Sequence, residues 1–361
     1  MRRPARPADG TSVAVRKGGA SKVEVLAIWK GNLMALSAMA GPQAGRARFL
    51  ARLTLAVSLL GALAATAAAQ ESPLLTPRLV LWRYADASAF DQPRGIAFDP
   101  LDGAIYVANS GKHRIEVFSK TGRALSQFVH RVTGPDGNRI DGTPCALAFD
   151  HAGRLLVTDL RSHSVDVLDR RGHSLFTLPA TTGQPNALAV GADGTIYVGT
   201  TSDESRVHRF RPDYRPDSSW GEPGNERGKL WGVTALCVLN DGSVAVACDR
   251  TELGVQIFSP TGEYLRGFGT HEVGEGNLSL PSGLVATPDG RIWVVDEIRQ
   301  TIQVFDSQGT PLSKEGQRGA GAGEFAHPSS MTYDGHDSIA LTDREIGRVQ
   351  VFTVSDLSRN P

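Results

Sequence analysis

Residues 95–128 read GIAFDPLDGAIYVANSGKHRIEVFSKTGRALSQF, and this stretch decides the fold. Three turn signals divide it into four short, largely apolar segments. Asp102-Gly103 favours a hairpin turn, because glycine readily adopts the positive φ that a two-residue turn requires. Polar residues at 110–113 and the pair Thr121-Gly122 separate the later segments. The stretch therefore predicts four consecutive antiparallel strands.

The same unit recurs five more times, beginning at Gly142, Gln184, Gly232, Leu280 and Ala326. Each unit has a landmark residue in its first turn; the six are Gly103, Gly153, Gly194, Gly242, Gly290 and, by alignment, Asp337. Successive landmarks lie 41 to 50 residues apart, which is the period of propeller blades. The sequence predicts an all-β protein with the fold of a six-bladed β-propeller.

The last unit lacks a fourth strand, since it ends with the third strand at 349–354. Residues 79–85 form a strand-like segment that belongs to no unit of its own. We expect this segment to pair with 349–354 and close the last blade, which leaves no unpaired strand edge. The propeller would then span 79–356, after a linker at 70–78 and before a tail at 357–361.

The second and third strands of the units differ in pattern. Second strands such as Ile105–Val107 are continuously apolar, which predicts burial on both faces. Third strands such as Ile115–Phe118 and Ile302–Phe305 alternate apolar and polar residues. They are expected to lie further out, with one face in contact with water.

The N-terminal region predicts export. Residues 1–45 have no sustained apolar period and are predicted to be disordered, or untranslated if the chain starts at Met34 or Met39. Residues 46–69 combine arginines, a short apolar run and small residues, which is the layout of a signal peptide cleaved near Ala69. We expect a periplasmic or secreted protein. The alternative is anchorage by an uncleaved N-terminal helix, which would be the sole contact with a membrane.

Composition narrows the classes of partner and the thiol chemistry. The formal net charge is +0, which argues against a nucleic-acid binder that relies on a positive field. The three cysteines, Cys145, Cys237 and Cys248, are an odd number and are interpreted as buried thiols. A disulfide stays open as an alternative for an exported protein.

The first unit resembles the NHL repeat. The resemblance rests on Pro-x-Gly-Ile-Ala-Phe-Asp from Pro93, on Gly-x-Ile-Tyr-Val-Ala-Asn from Gly103, and on His113–Phe118. It is good again at 280–305 and weaker in the third and sixth units. With the leader, it suggests an exported bacterial protein. The resemblance implies a six-bladed propeller and little about activity, because propellers of this kind include binding modules and enzymes.

The position eight residues before each landmark is predicted to line the central channel. These residues are Gly95, Cys145, Asn186, Thr234, Ser282 and Ser329. None of them is His, Asp or Glu, so no metal, cofactor or catalytic residue is predicted. The related peptidyl-amidoglycolate lyases place zinc-binding histidines before inner strands, where this chain has His327. Lactonase-like propellers need carboxylates and Asn around a divalent ion, a requirement that Asn186 alone does not meet.

Short polar residues end several of the second strands, at Asn109, Asp159, Asp296 and Asp343. A recurring acid could form a metal-binding rim. The favoured interpretation is a local one, in which each side chain accepts hydrogen bonds from the backbone N–H groups that follow it.

Basic residues in the loops that follow predict a rim for an anion or a peptide. The candidate ligand-face residues are Arg94, Asn109, Lys112, His113, Asp159, Arg161, His163, Asn186, Arg250, Asp296, Arg299, His327, Asp343 and Arg344. The favoured function is a non-enzymatic propeller of the cell envelope that binds a protein, a peptide or a small anionic ligand. The alternative is a metal-dependent propeller enzyme of the lyase or lactonase type.

Overall fold

A computed structural model describes three N-terminal strands and residues 73–355, except 135 and 180. The chain divides into two compact units, 1–72 and 73–361. In the first unit, strands Ser12–Gly18, Lys22–Trp29 and Asn32–Met39 form one antiparallel sheet in that order. The structure thus has strands within the stretch for which the sequence predicts disorder. The predicted signal peptide at 46–69 lies outside the described residues, and the described ones include no helix long and apolar enough to cross a membrane.

The second unit contains six four-stranded antiparallel sheets, which we call blades 1 to 6. Blade 1 comprises Pro93–Phe98, Ile105–Asn109, Arg114–Phe118 and Ala124–Val129; blade 2 comprises Pro144–Phe149, Leu155–Asp159, Ser164–Leu168 and Ser174–Thr177; blade 3 comprises Gln184–Val190, Ile196–Thr201, Val207–Phe210 and Pro216–Trp220. Blade 4 comprises Val233–Val238, Val244–Cys248, Leu253–Phe258 and Tyr264–Thr270; blade 5 comprises Pro281–Ala286, Ile292–Asp296, Thr301–Phe305 and Pro311–Glu315; blade 6 comprises Pro328–Tyr333, Ser338–Asp343, Arg348–Val354 and Leu75–Leu81.

Shorter elements lie in the connections. Arg131–Thr133 and Arg139–Asp141 form a small antiparallel hairpin between blades 1 and 2. Two parallel pairs, Glu222–Pro223 with Lys229–Leu230 and Gln317–Arg318 with Glu324–Phe325, precede blades 4 and 6. A single 3-10 turn spans Ser110–Lys112.

The inner strands of the blades form a closed ring. Each first strand contacts the first strand of the next blade, and that of blade 6 contacts that of blade 1. Clusters of apolar side chains fill the space between adjacent blades; one of them joins Trp293 and Ile302 of blade 5 to Phe325 and Phe352 at blade 6. The predicted six-bladed propeller is confirmed.

The predicted closure of blade 6 is confirmed, with a shift in its boundary. The closing strand runs from Leu75 to Leu81 and pairs with the third strand of the blade, Val354 opposite Leu75 and Val349 opposite Leu81. It therefore begins inside the predicted linker. Pro77 made that part look like a linker, but proline is accepted on an edge strand because its missing N–H can face away from the ladder. Here it lies opposite Phe352, next to a register shift.

Second strands are buried on both faces, as their apolar runs predict. Val107, Val157 and Val246 each have 0% exposure. The three cysteines are free and buried, which confirms the interpretation as thiols.

The expectation of a wet face on the third strands is wrong. The polar residue at the centre of these strands is buried in blades 4, 5 and 6, at Gln256, Gln303 and Gln350. Each side chain clamps the leading loop, which is the segment before the inner strand of its own blade. Gln256 accepts a hydrogen bond from Gly228 N at 2.7 Å and donates one to Lys229 O at 2.7 Å. The fourth strand is the exposed one instead.

The same clamp recurs with other residues. Gln303 donates to Asn277 O at 2.7 Å, and Gln350 accepts from Gly323 N and donates to Glu324 O. In blade 3 the His208 Nε2 lies 3.2 Å from Thr182 O. In blades 3 to 6 a polar side chain therefore satisfies loop backbone that the fold removes from water.

We expect Gln256→Leu to lower the free energy of unfolding by about 2 kcal/mol or more, because two buried backbone groups lose their partners. Gln127→Leu is the matched control, since Gln127 lies on the exposed fourth strand of blade 1. Denaturant unfolding of the full chain measures both. Equal stability of the two variants would contradict the clamp.

Candidate functional site

A central channel of about 450 Å³ runs between the inner strands of all six blades. Its mouth lies where second strands end, because the first residue of an inner strand pairs with the last residue of a second strand, as Pro144 does with Asp159. The second residue of each inner strand, or the third in blade 3, lines this end of the channel. We call these six positions the inner ring.

The inner ring differs from the sequence-based alignment in blade 1. Pro93 and Ile96 of blade 1 correspond to Pro144 and Leu147 of blade 2, so Arg94 takes the place of Cys145. The inner ring is therefore Arg94, Cys145, Asn186, Thr234, Ser282 and Ser329, all of which line the cavity.

The reason is the length of one turn. In blade 1 the landmark Gly103 N bonds to Asp99 O, four residues back, whereas Gly153 N bonds to Asp150 O, three residues back. Counting from the landmark therefore misses by one residue and selects Gly95. That glycine faces blade 2 instead, and a Cβ on it would lie 2.1 Å from Cys145 O.

Three inner-ring side chains are occupied in joining the blades. Asn186 Nδ2 donates to Val233 O at 3.0 Å, Thr234 Oγ1 to Pro281 O at 2.5 Å, and Ser282 Oγ to Pro328 O at 3.1 Å. Each bond links one blade to the first strand residue of the next. These polar groups therefore hold the ring together while they line the channel.

Arg94 is the cation of the inner ring. Within 73–355, no described carboxylate forms an ion pair with it. Burial raises the pKa of the neighbouring Cys145 thiol, and the Arg94 guanidinium acts against that shift. The guanidinium thus lies beside Cys145 in the wall of the channel.

One side of the mouth carries a charged cluster from blades 5 and 6. Arg344 Nη2 donates to Glu297 Oε1 at 2.5 Å. His327 Nδ1 lies 3.1 Å from the same carboxylate oxygen, and its Nε2 lies 3.1 Å from Glu345 Oε2. Glu297 and Arg344 line the cavity directly. The sequence analysis did not select Glu297. It follows Asp296 directly, just as Arg344 follows Asp343, so the equivalent position in the next blade was the available signal.

The acids at the ends of second strands are structural. Asp159 Oδ1 accepts from Arg161 N at 3.0 Å and Ser162 N at 2.8 Å, the local pattern that the sequence predicts. Asp296 and Asp343 also accept from the leading loops of their blades, for example at Ser279 N and His327 N.

Asn109 does the same for blade 1. Its Oδ1 accepts from Asp91 N at 2.9 Å, and its Nδ2 donates to Glu116 at 2.8 Å. These side chains are completely buried. Asn109, Asp296 and Asp343 tie the leading loop to the blade, and Asp159 holds the loop that follows its strand through Oδ1.

Most of the predicted basic rim is also engaged by backbone. Lys112 Nζ donates to Ala89 O at 2.5 Å, and Arg161 Nη1 donates to Asp141 O at 3.0 Å. Arg299 donates to Gly274 O, Glu272 O and Ser279 Oγ. Arg250 is exposed and lies 3.7 Å from Asp249. The rim does not converge on one site.

His113 and His163 share a turn position that explains their alignment. Both have a left-handed backbone, with φ of 57° and 55°, and Gln300 repeats this at 58°. His113 Nδ1 lies 2.7 Å from Gly142 O in the next leading loop, and Gln300 Nε2 donates to the equivalent Ala326 O. The shared position is a blade-to-blade contact.

A buried cluster of His130, Asp159 and Asp166 lies beneath the hairpin between blades 1 and 2. His130 Nε2 is 3.6 Å from Asp159 Oδ2 and 3.5 Å from Asp166 Oδ2, too far for hydrogen bonds. Among the described residues these atoms have no hydrogen-bond partner. Burial raises the pKa of Asp166 and lowers the pKa of His130. Burial of these polar atoms without hydrogen bonds therefore lowers the stability of the folded protein.

Asp166→Asn is expected to stabilise the protein at pH 7 by about 1 kcal/mol, because a neutral amide can donate to His130 and keep the bond from Thr177. The folded pKa of Asp166 is raised, so its stabilising contribution is present below the unfolded pKa and is lost as the pH rises through the folded pKa. The advantage of the Asn variant should therefore widen with rising pH.

Denaturant unfolding of the full chain from about pH 4 to about pH 8, spanning the ordinary range of the two groups, measures this trend. Asp141→Asn is the control, since Asp141 is exposed. An advantage that narrows as the pH rises would contradict the assignment.

Comparison with known proteins agrees with this architecture. Residues 90–118 match the NHL repeat, and residues 278–358 match a family described as 6-bladed beta-propeller. The chain is a six-bladed β-propeller with one stretch that matches the NHL repeat. NHL repeat-containing protein 3 of Mus musculus is 27% identical over 223 residues, which cover 56% of this chain and 61% of the mouse protein. The match thus spans less than two thirds of that relative.

Solved structures with the same fold include enzymes. A virginiamycin B lyase from Staphylococcus aureus has a TM-score of 0.54 and 15% identity, covering 77% of this chain and 99% of the lyase. A gluconolactonase from Xanthomonas campestris has a TM-score of 0.56 and 16% identity, covering 79% and 99%. At these identities the likeness shows the fold alone.

Proposed function

We propose that this NHL-repeat propeller is a non-enzymatic binding protein of the cell envelope that takes its ligand at the channel mouth. The inner ring carries the proposal. It places one guanidinium and five small side chains around a cavity of about 450 Å³, a size suited to a small molecule. None of the six ring residues is His, Asp or Glu, the usual general bases and metal ligands, which favours binding over catalysis.

Location in the envelope is supported by the leader. Residues 46–69 have the layout of a signal peptide. A periplasmic or secreted propeller would meet its ligand outside the cytoplasm, where a channel open to solvent suits capture of a solute or of a peptide end.

The second candidate is a metal-dependent propeller enzyme. His327 between two carboxylates at the mouth favours it, as does the fold shared with a lyase and a gluconolactonase. The donors do not fit one ion, because Glu297 and Glu345 lie on opposite ring nitrogens of His327. Among the described residues, no group of three metal-binding side chains could hold a metal ion.

The test compares Ser329→Phe, which fills the inner ring, with Ser126→Phe on an exposed fourth strand. Isothermal titration of the full chain uses benzoate, glucono-1,5-lactone and the dipeptide Ala-Phe as probes. We expect at least one probe to bind the wild type and the Ser126 variant and to lose about tenfold or more in affinity for the Ser329 variant. Binding that is unaffected by Ser329→Phe contradicts the channel site.

A parallel measurement separates the two candidates. The same probes are incubated with the full chain plus added zinc, magnesium or calcium, and the products are followed by mass spectrometry. The binding function predicts unchanged probes. Metal-dependent turnover that a chelator abolishes would establish the enzyme instead.

A further inference from the structure

The inner ring offers a single cation that the fold does not use. Lys112, Arg161 and Arg299 donate to backbone carbonyls, and Arg344 donates to Glu297. The Arg94 side chain pairs with no carboxylate among the described residues. Its backbone carries the structural role, because Thr342 Oγ1 donates to Arg94 O at 2.6 Å across the seam between blades 6 and 1. The guanidinium is therefore available to a ligand.

The neighbours of Arg94 suit a planar anion. Cys145 of blade 2 and Ser329 of blade 6 flank it in the ring and line the same cavity. An arginine fork matches the two oxygens of a carboxylate in a bidentate pair. The hydroxyl of Ser329 lies in the same part of the channel wall and adds a hydrogen-bond donor for the anion.

The charge around the cavity selects a monoanion. Among the residues that line the cavity at this end, Arg94 and Arg344 are cationic and Glu297 is anionic, which leaves one cation in excess. Glu297 already neutralises Arg344 at 2.5 Å. The second negative charge of a phosphate dianion would find no further unpaired cation among these lining residues, and Glu297 would repel it.

Beyond the inner ring the cavity has both apolar and polar lining residues. Phe149, Val190, Val238 and Ala286 are among the apolar ones and are partly exposed, and Thr332 is among the polar ones. An apolar body can be buried there at about 25 cal/mol per Å² of surface removed from water.

We infer that the ligand is an organic monocarboxylate, with its carboxylate on Arg94 and its apolar body in the channel. This rests on the proposed channel site and names its ligand class. The free C-terminus of a peptide and a small carboxylic acid share this chemistry, and the probes below distinguish them.

The experiment measures affinities of the full chain for benzoate, benzamide, phenyl phosphate and Ala-Phe by isothermal titration. Benzamide is the neutral match of benzoate, and phenyl phosphate is the dianionic one. Loss of one charged hydrogen-bonded pair corresponds to a change of about tenfold to a hundredfold. We therefore expect benzoate to bind at least about tenfold more tightly than benzamide or phenyl phosphate.

Arg94→Ala should lower benzoate affinity by the same factor and leave benzamide affinity unchanged. Arg94→Lys should recover part of the benzoate affinity, because it keeps the charge without the fork. Arg250→Ala, an exposed arginine on the same face, is the control and should change nothing. Tighter binding of Ala-Phe than of benzoate would identify a peptide end as the source of the carboxylate.

Equal binding of benzoate and benzamide overturns the inference, as does benzoate affinity that survives in Arg94→Ala, or absence of benzoate binding. The proposed channel site has a separate outcome. If a neutral probe binds and is lost only in Ser329→Phe, the channel site stands and the carboxylate inference fails.

Discussion

The structure depends on the pairing of the first strand of the propeller with the last. Leu75–Leu81 supplies the outer strand of blade 6, and its ends, Leu75 and Leu81, are buried in two different inter-blade clusters. The second of those clusters joins blade 6 to Ile96 and Phe98 of blade 1. Closure therefore completes both faces of blade 6 and leaves no unpaired strand edge between blades 6 and 1.

The same seam positions the candidate site. Thr342 of blade 6 donates to the carbonyl of Arg94, and three inner-ring side chains donate to the next blade in turn. These bonds join four of the six pairs of adjacent blades. Arg94 takes part through its backbone carbonyl, and its guanidinium lies beside Cys145 in the channel wall.

Repetition made most of the fold predictable, and departures from repetition hid the rest. Six units and the missing fourth strand are visible in the sequence, because each unit repeats its turn and its apolar runs. Arg94 was displaced in the alignment by one additional residue in a single turn; alignment on Pro93 and Pro144 would have found it. The sequence could not distinguish buried Gln256 from a solvent-exposed residue. Its hydrogen-bond partners, Gly228 and Lys229, lie in the leading loop of the blade, far from Gln256 along the chain.

Chemistry was harder to predict than architecture for a related reason. Asp159, Asp296 and Asp343 look like a recurring acidic rim, yet the structure uses their oxygens to hold backbone N–H groups. A residue that breaks the pattern of a repeat protein is a candidate for function, and Arg94 does so among small side chains.

Hydrogen exchange of the full chain after replacement of Leu75 and Leu81 by serine tests the closure most directly. The account predicts that protection falls in the inner strands of blades 1 and 6 together and that the unfolding transition loses cooperativity, while a control with Thr76 and Arg78, both exposed, changed to alanine keeps full protection. If the serine variant retains the protection and stability of the wild type, the ring does not depend on this strand and the account is wrong.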